Sequence, residues 1–228
     1  MAEVDALEFL QGNVSRDRKR VEGVTLGVVT DTRDPQGLGR VKVRLPWISE
    51  VTESGWARVA VPMAGAHRGT YFIPEVEDEV LVAFRHGDPR HPYIIGSLWN
   101  GRDRPPVPAA AAQQRMIRSR SGHQITFDDL PTQEKVTIKS HAGHEIVLDD
   151  SPQGLRIEIR DANGTHNITL DSRTQTISIT AAAGNIEVKA PAGNVSLQGM
   201  AVQVNASATL DLKAGGLLNL QAPLVKIN

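Results

Sequence analysis

Three histidines recur at one position of a repeated motif. Ser121-Gly-His-Gln-Ile-Thr-Phe-Asp-Asp returns 21 residues on as Ala142-Gly-His-Glu-Ile-Val-Leu-Asp-Asp, and 22 residues later as Gly164-Thr-His-Asn-Ile-Thr-Leu-Asp-Ser. His123, His144 and His166 share the strand parity of the aliphatic residues two and four positions on. If copies of the chain assemble about an axis, each histidine forms a ring near it, where several imidazoles could hold a metal ion or an anion. The competing reading is a cap at a strand end, since Gly precedes two of them and Thr the third. The pairs Asp128-Asp129 and Asp149-Asp150 have the chemistry of glycosidase carboxylates. Their matching place in the repeat, beside Pro131 and Pro152, reads instead as duplicated turn chemistry. His86 and His91 lack a third ligand at recognisable spacing. No Gly-x-Ser-x-Gly, His-Glu-x-x-His or phosphate-loop motif occurs. No catalytic residue, metal site or cofactor is therefore expected beyond the axial-ion candidates His123, His144 and His166.

Composition narrows the partners. Net charge is −1 over 228 residues, which gives no electrostatic bias toward nucleic acid or an anionic membrane. Trp47, Trp56, Tyr71 and Trp99 could stack on a base, but no repeated basic–aromatic face is evident. Core and subunit packing is the expected role of these four. Cys is absent, which removes disulfides and thiolate chemistry and suits assembly in a reducing cytoplasm. Met1 to Gln11 lacks the pattern of a signal peptide, and no apolar run approaches the roughly 20 residues needed to span a bilayer.

The elements that must position these residues are strands. Aliphatics fall in alternating pairs: Ile157 with Ile159, Ile168 with Leu170, Ile177 with Ile179, Ile186 with Val188, Val195 with Leu197, Val202 with Val204, Leu210 with Leu212, Leu218 with Leu220 and Val225 with Ile227. Alternation inside each segment is the strand signal. The spacing between pairs runs 11, 9, 9, 9, 7, 8, 8 and 7, a steady period of the kind seen in stacked β-units. Turn formers such as Asn163-Gly164, Gly184-Asn185, Gly193-Asn194 and Gly215-Gly216 separate the pairs. Only eight of the 68 residues from Asp161 to Asn228 are charged, so the ladder reads as a rod without a cleft.

Units this short cannot enclose a core alone, because a single-chain solenoid needs about 20 or more residues per coil. Three chains, each supplying one side of a triangular prism, would cover every strand edge. A single-chain solenoid with three sides per turn is the alternative. The predicted inward residues of the needle core are Ile168, Leu170, Ile177, Ile179, Ile186, Val188, Val195, Leu197, Val202, Val204, Leu210, Leu212, Leu218 and Leu220.

Composition divides the chain into zones. Residues 1–21 are charged, with an amphipathic start at Val4, Leu7, Phe9 and Leu10, and read as an attachment segment. Residues 22–100 hold seven of the nine aromatics and read as a compact β domain with strands near 24–30, 39–45, 56–61, 79–85 and 92–98. Residues 101–115 are a Pro/Ala linker. Residues 116–228 form the needle.

The β domain carries a family resemblance. Gly27-Val28-Val29-Thr30, Asp34-Pro35 and Gly39-Arg40-Val41-Lys42-Val43-Arg44-Leu45-Pro46-Trp47 resemble the opening of the oligonucleotide/oligosaccharide-binding (OB) barrel in contractile-tail spike proteins. Phe72 to Val82, Gly87-Asp88-Pro89, His91-Pro92 and Gly96 to Asn100 continue the match. Arg118 to His123 with Phe127-Asp128-Asp129 is similar to the start of the spike β-helix. The resemblance is to phage baseplate assembly protein V and to the VgrG proteins of type VI secretion. One departure stands out: that family usually has Gly where this chain has Glu77, which bears on the local turn.

The resemblance implies an all-β fold, an OB-fold barrel followed by a C-terminal trimeric, intertwined triple-stranded β-helix. It implies a non-enzymatic homotrimeric spike of a phage tail, an extracellular injection system or a type VI apparatus, acting on the target-cell envelope. A separate hub protein would sit at the barrel end, because only about 20 residues precede the barrel. A proline-alanine-alanine-arginine (PAAR) tip protein would bind Leu224, Val225 and Ile227. The rival from another class is a β-helical tailspike that binds or cleaves surface carbohydrate, which would need a groove lined by carboxylates and aromatics.

Overall fold

A computed structural model of the protein describes residues 20–107 and 112–226. The amphipathic segment at Val4 to Leu10, part of the linker, and Ile227 lie outside the described residues. Seven strands build the first unit: β1 Val24–Asp31, β2 Lys42–Arg44, β3 Arg58–Val59, β4 Ala64–Gly65, β5 Arg68–Gly69, β6 Glu79–Phe84 and β7 Pro92–Ser97. Five of them form one sheet in the order β2-β1-β6-β7-β3. All neighbours are antiparallel except β3 and β7, which run parallel. A bridge between Val41 and Ala57, hydrogen-bonded both ways at 3.0 and 2.7 Å, joins β2 to β3 and closes the ring. A five-stranded closed sheet with this order is the OB arrangement. β4 and β5 form a separate small hairpin.

Strand alternation explains the core. On β6, Val80, Val82 and Phe84 point inward and are buried, while Glu79, Leu81 and Ala83 are half-buried on the outer wall. Val29, Val41, Val43, Leu45, Ala57 and Ile94 complete the interior. Gly27 sits on the inner face of β1 because a methyl there would lie 2.9 Å from Val82 Cγ2. Each predicted strand of this unit is present, within a few residues.

Strand directions define two ends. The chain enters beside the β6–β7 loop, where the Val21 N–H donates to Gly87 O at 2.9 Å. β7 leads away to the opposite end, where the β1–β2 loop and the turn before β6 also lie. The needle root meets that second end through an Arg120–Glu75 ion pair at 3.2 Å.

Seven further strands follow: β8 Gln114–Arg118, β9 Gln124–Asp128, β10 Lys135–Lys139, β11 Glu145–Asp149, β12 Arg156–Arg160, β13 His166–Asp171 and β14 Thr176–Ala181. They form an antiparallel meander in chain order. The upper ladder pairs differently from the expected single strands per side. The long repeats of 21 and 22 residues are hairpins that pair within the chain, so residues 114–181 form one antiparallel sheet within a single copy.

Among the described residues the lower ladder has no partner within one chain. Among residues 182–226 no strand is assigned. The predicted inward residues there are Ile186, Val188, Val195, Leu197, Val202, Val204, Leu210, Leu212, Leu218 and Leu220. In the single chain all ten are exposed, Leu212 at 61% being representative. The physical reason is the lack of a neighbour: a strand needs a hydrogen-bonded partner and an inward face needs an opposing wall, and one chain offers this segment neither.

Candidate functional site

The meander is built by two kinds of turn, and these absorb the residues that looked chemical. On one edge, Ser119, Ser140 and Asp161 each open a tight turn. Ser119 Oγ accepts the His123 N–H at 3.1 Å, Ser140 Oγ accepts the His144 N–H at 3.0 Å, and Asp161 Oδ1 accepts the His166 N–H at 2.7 Å. Gly122 and Gly143 take φ of +93° and +99° in these turns, a region open to glycine at little cost. The three histidines thus begin alternate hairpins on one edge of the sheet.

Their rings reach sideways to the next turn. His123 Nδ1 accepts the His141 N–H at 3.0 Å, and His144 Nδ1 accepts the Ala162 N–H at 3.2 Å. An accepting Nδ1 leaves the proton of the neutral ring on Nε2, so Nε2 of these two residues donates and has no lone pair for a metal. His166 differs: Thr165 Oγ1 gives its one proton to Asp161 at 3.0 Å and receives Nδ1–H of His166 at 2.8 Å. The capping reading therefore describes what all three do within the chain. His141, which packs its ring edge-on to His123 at 6.5 Å between centroids, is a member the sequence reading missed. Its signal was the Ser140-His-Ala-Gly-His repeat of the first turn. Among the described residues no group of three His, Asp or Glu side chains is placed to hold a metal ion.

On the other edge the aspartates are turn residues. Asp128 Oδ1 accepts the Leu130 N–H at 3.2 Å, Asp149 Oδ1 accepts the Ser151 N–H at 3.1 Å, and Asp171 Oδ1 accepts the Arg173 and Thr174 N–H groups at 2.9 and 3.0 Å. These contacts match the duplicated turn chemistry read from the repeat. The Ser151 hydroxyl and N–H hold the Asp149 carboxyl below its ordinary range.

The two faces of the meander differ sharply. Register lines up Ile117, Ile125, Ile138, Ile146, Ile159, Ile168 and Ile179 in one row across the sheet. Phe127, Val136, Leu148, Ile157, Leu170 and Ile177 form the row beside it. Both rows share one face. The other face carries Thr126, Thr137, Glu158, Thr169 and Ser178, with Met116 and Val147 in the same row and a charge network on its histidine edge. There Glu145, 9% exposed, meets Lys139 at 2.6 Å and Arg160, which together hold its carboxyl below the usual range.

The apolar face is uncovered. Every fully buried apolar side chain among the described residues belongs to the barrel. The isoleucines and leucines of β11 to β13 remain 37–44% exposed, and Ile177 and Ile179 on β14 rise to 72% and 61%. A trough of about 630 Å³ runs along this face, lined by Ile138, Ile146, Ile159, Ile168, Ile179 and Ile186 with His144 and His166 at its rim.

The barrel does not gather its aromatics. Trp47 follows β2 at the entry end, Trp99 follows β7 at the needle end, and Tyr71 stands beside Gly39 in the β1–β2 loop. Trp56 precedes β3 and is flanked by the Arg40 guanidinium at 5.9 Å and the Lys42 ammonium at 5.3 Å. A hollow of about 290 Å³ beside Trp99 has Asp103 ion-paired to Arg102 at 3.0 Å on its wall.

The fold defines an OB-barrel protein that carries a strand-built extension with an open apolar face. Residues 25–99, the span of the barrel, match the family described as the type VI secretion system/phage-baseplate injector OB domain. Among relatives, the type VI secretion system spike protein VgrG3 of Vibrio cholerae serotype O1 is 30% identical over 138 residues, 53% of this chain and 13% of that protein. VgrG1a of Pseudomonas aeruginosa, also named a type VI spike protein, is 35% identical over 105 residues, 42% of this chain and 16% of that one. A third relative, the actin cross-linking toxin VgrG1 of Vibrio cholerae, is 32% identical over 108 residues, 43% of this chain and 10% of its own length. The chain is VgrG-like, and it spans 10–16% of the length of these curated relatives.

Proposed function

We propose that this chain is the central spike of a contractile injection machine and acts as a homotrimer without enzymatic activity. The single observation that carries the trimer is the uncovered face of β8–β14. Thirteen apolar side chains stand in two unbroken rows there, most still about two-fifths exposed. Covering what remains exposed is worth on the order of 1 kcal/mol per side chain, or about 10 kcal/mol per chain. That is the scale of a whole domain's stability, and a surface patch of this size on a soluble protein marks an interface.

The likeness to spike proteins supports the mechanical role. Force from the machine would pass from the barrel into a stiff, sparsely charged rod and concentrate on a small area of target envelope. A hub protein at the chain-entry end and a PAAR-type tip protein on the exposed Leu224 and Val225 are the partners this reading implies. Cytoplasmic assembly before delivery toward the target envelope belongs to the same reading. Light scattering of the purified chain is expected to give three times the 24.7 kDa chain mass. A stable 24.7 kDa species with an intact β signal would overturn the trimer.

A further inference from the structure

We propose that the outer wall of the barrel over β1, β6 and β7 is a docking surface for the chain's own residues 4–10. The contact lies within one copy. It goes beyond the spike reading above and does not depend on how many copies assemble.

The wall is apolar where strand alternation ordinarily turns polar side chains to water. Gly27, Val82 and Ile94 face the core, which sends their neighbours outward. Register sets Val24 beside Ala83 and Ala83 beside Tyr93, and it sets Leu26 beside Leu81. Ile95 joins them at the bulge where β7 slips against β6. Val24, Leu26 and Ile95 are 53%, 49% and 44% exposed. Leu81, Ala83 and Tyr93 are half-buried. The patch is three strands wide, about 10 Å between its outer strands. Basic residues border it on both sides. Arg44 of β2 lies beside Val28, and Arg58 of β3 lies beside Tyr93.

The chain arrives at the matching end of this wall. The Val21 N–H bond to Gly87 O holds the entry at the β6–β7 loop, the end at which Val24, Ala83 and Tyr93 stand. Residues 11–19 separate the entry from the proposed occupant and reach up to about 30 Å when extended. That is more than enough to return to a patch that starts at Val24.

Residues 4–10 have the chemistry the wall asks for. Val4, Leu7 and Leu10 recur at the interval of one helical face, with Phe9 beside them. A helix of that length is about 10 Å long, the width of the patch. Glu3, Asp5 and Glu8 supply negative charge opposite the bordering Arg44 and Arg58. The apolar centre and the basic border of the wall are thus both answered by one short stretch of the same chain.

Thiol labelling of the purified full-length chain tests this, because the chain has no cysteine of its own. Leu26→Cys and Ile95→Cys report on the wall, and Arg33→Cys, whose side chain is 91% exposed, gives the reference rate. The thiols at 26 and 95 are expected to react at least about tenfold more slowly than the reference. Adding Leu7→Asp and Leu10→Asp to the same chain is expected to bring them to within about twofold of it. Fast labelling at both positions in the parent would mean an open wall and would overturn the inference. Slow labelling that persists in the doubly substituted chain would mean that another copy covers the wall, and would also overturn it. A bifunctional thiol reagent applied to Leu10→Cys with Leu26→Cys is expected to link the two within one 24.7 kDa chain. A two-chain product in its place would overturn the assignment to a single copy.

Discussion

Glu77 occupies a position that the backbone makes expensive for any residue but glycine. It is the third residue of the turn Glu75–Asp78, closed by the Asp78 N–H to Glu75 O at 3.1 Å and by Asp78 Oδ2 accepting the Glu75 N–H at 2.8 Å. Its φ is +76°, in the left-handed region. The backbone has no freedom to leave, because the Glu77 N–H donates to Val29 O at 2.8 Å and its carbonyl accepts from Arg102 at 3.0 Å. Both contacts are main-chain groups of residue 77 and survive any side-chain change. A side chain there costs about 1–2 kcal/mol. Glycine removes that cost and loses roughly 0.5–1 kcal/mol to the greater freedom of the unfolded chain. Glu77→Gly should therefore stabilise the barrel by about 0.5–1 kcal/mol, a rise of about 2–8 °C in Tm for a domain of this size. Glu77→Ala keeps the strained backbone and should melt close to the parent. Tryptophan fluorescence is the assay, since Trp47, Trp56 and Trp99 all belong to the barrel region. If Glu77→Gly melts at or below Glu77→Ala, the strain argument is wrong.

Three other perturbations separate barrel from needle. Val80→Ala removes a fully buried side chain and should cost the barrel about 2–3 kcal/mol in a denaturant melt followed by the same fluorescence. Ile186→Asp or Leu197→Asp changes a side chain that is exposed in the single chain, at 56% and 78%, so barrel melting should be unchanged. The same substitutions bring like charges together at a trimer axis and should abolish the trimer mass in light scattering; survival of the trimer would place those residues outside the needle core. The third perturbation is acid. The His166 N–H, then the Thr165 hydroxyl, draw the Asp161 carboxyl from its ordinary 3.8 down to about 2. A depressed carboxyl adds stability above its unfolded value and loses it as pH falls through the folded one. Exchange protection at the 161–166 turn should thus weaken between pH 3.8 and about 2, and Asp161→Asn should flatten that dependence.

Local chemistry was legible in the residues alone. The five barrel strands follow from alternation between turn formers, and Val80, Val82 and Phe84 against Glu79, Leu81 and Ala83 show that alternation as an inner and an outer wall. The Gly usual at position 77 in the resembling family bore on the local turn, and the structure gave that turn its left-handed φ of +76°. Asp128 and Asp149, placed alike in the repeat, were readable as turn residues because an Asx turn needs only neighbours two positions away. Pairing was not readable, because a strand's period says which side chains share a face and nothing about which edge lies beside it. Leu210 and Leu212 alternate as clearly as Ile168 and Leu170, yet only the second pair has a strand on either side within the chain. Only the tertiary structure decided that residues 114–181 pair with themselves. It also put Nδ1 of His123 and His144 on backbone donors 18 residues away, and set Trp47 and Trp99 at opposite ends of the barrel. Sequence determined the units because turns and alternation are local; the fold decided their neighbours because hydrogen-bonded edges are met across the chain.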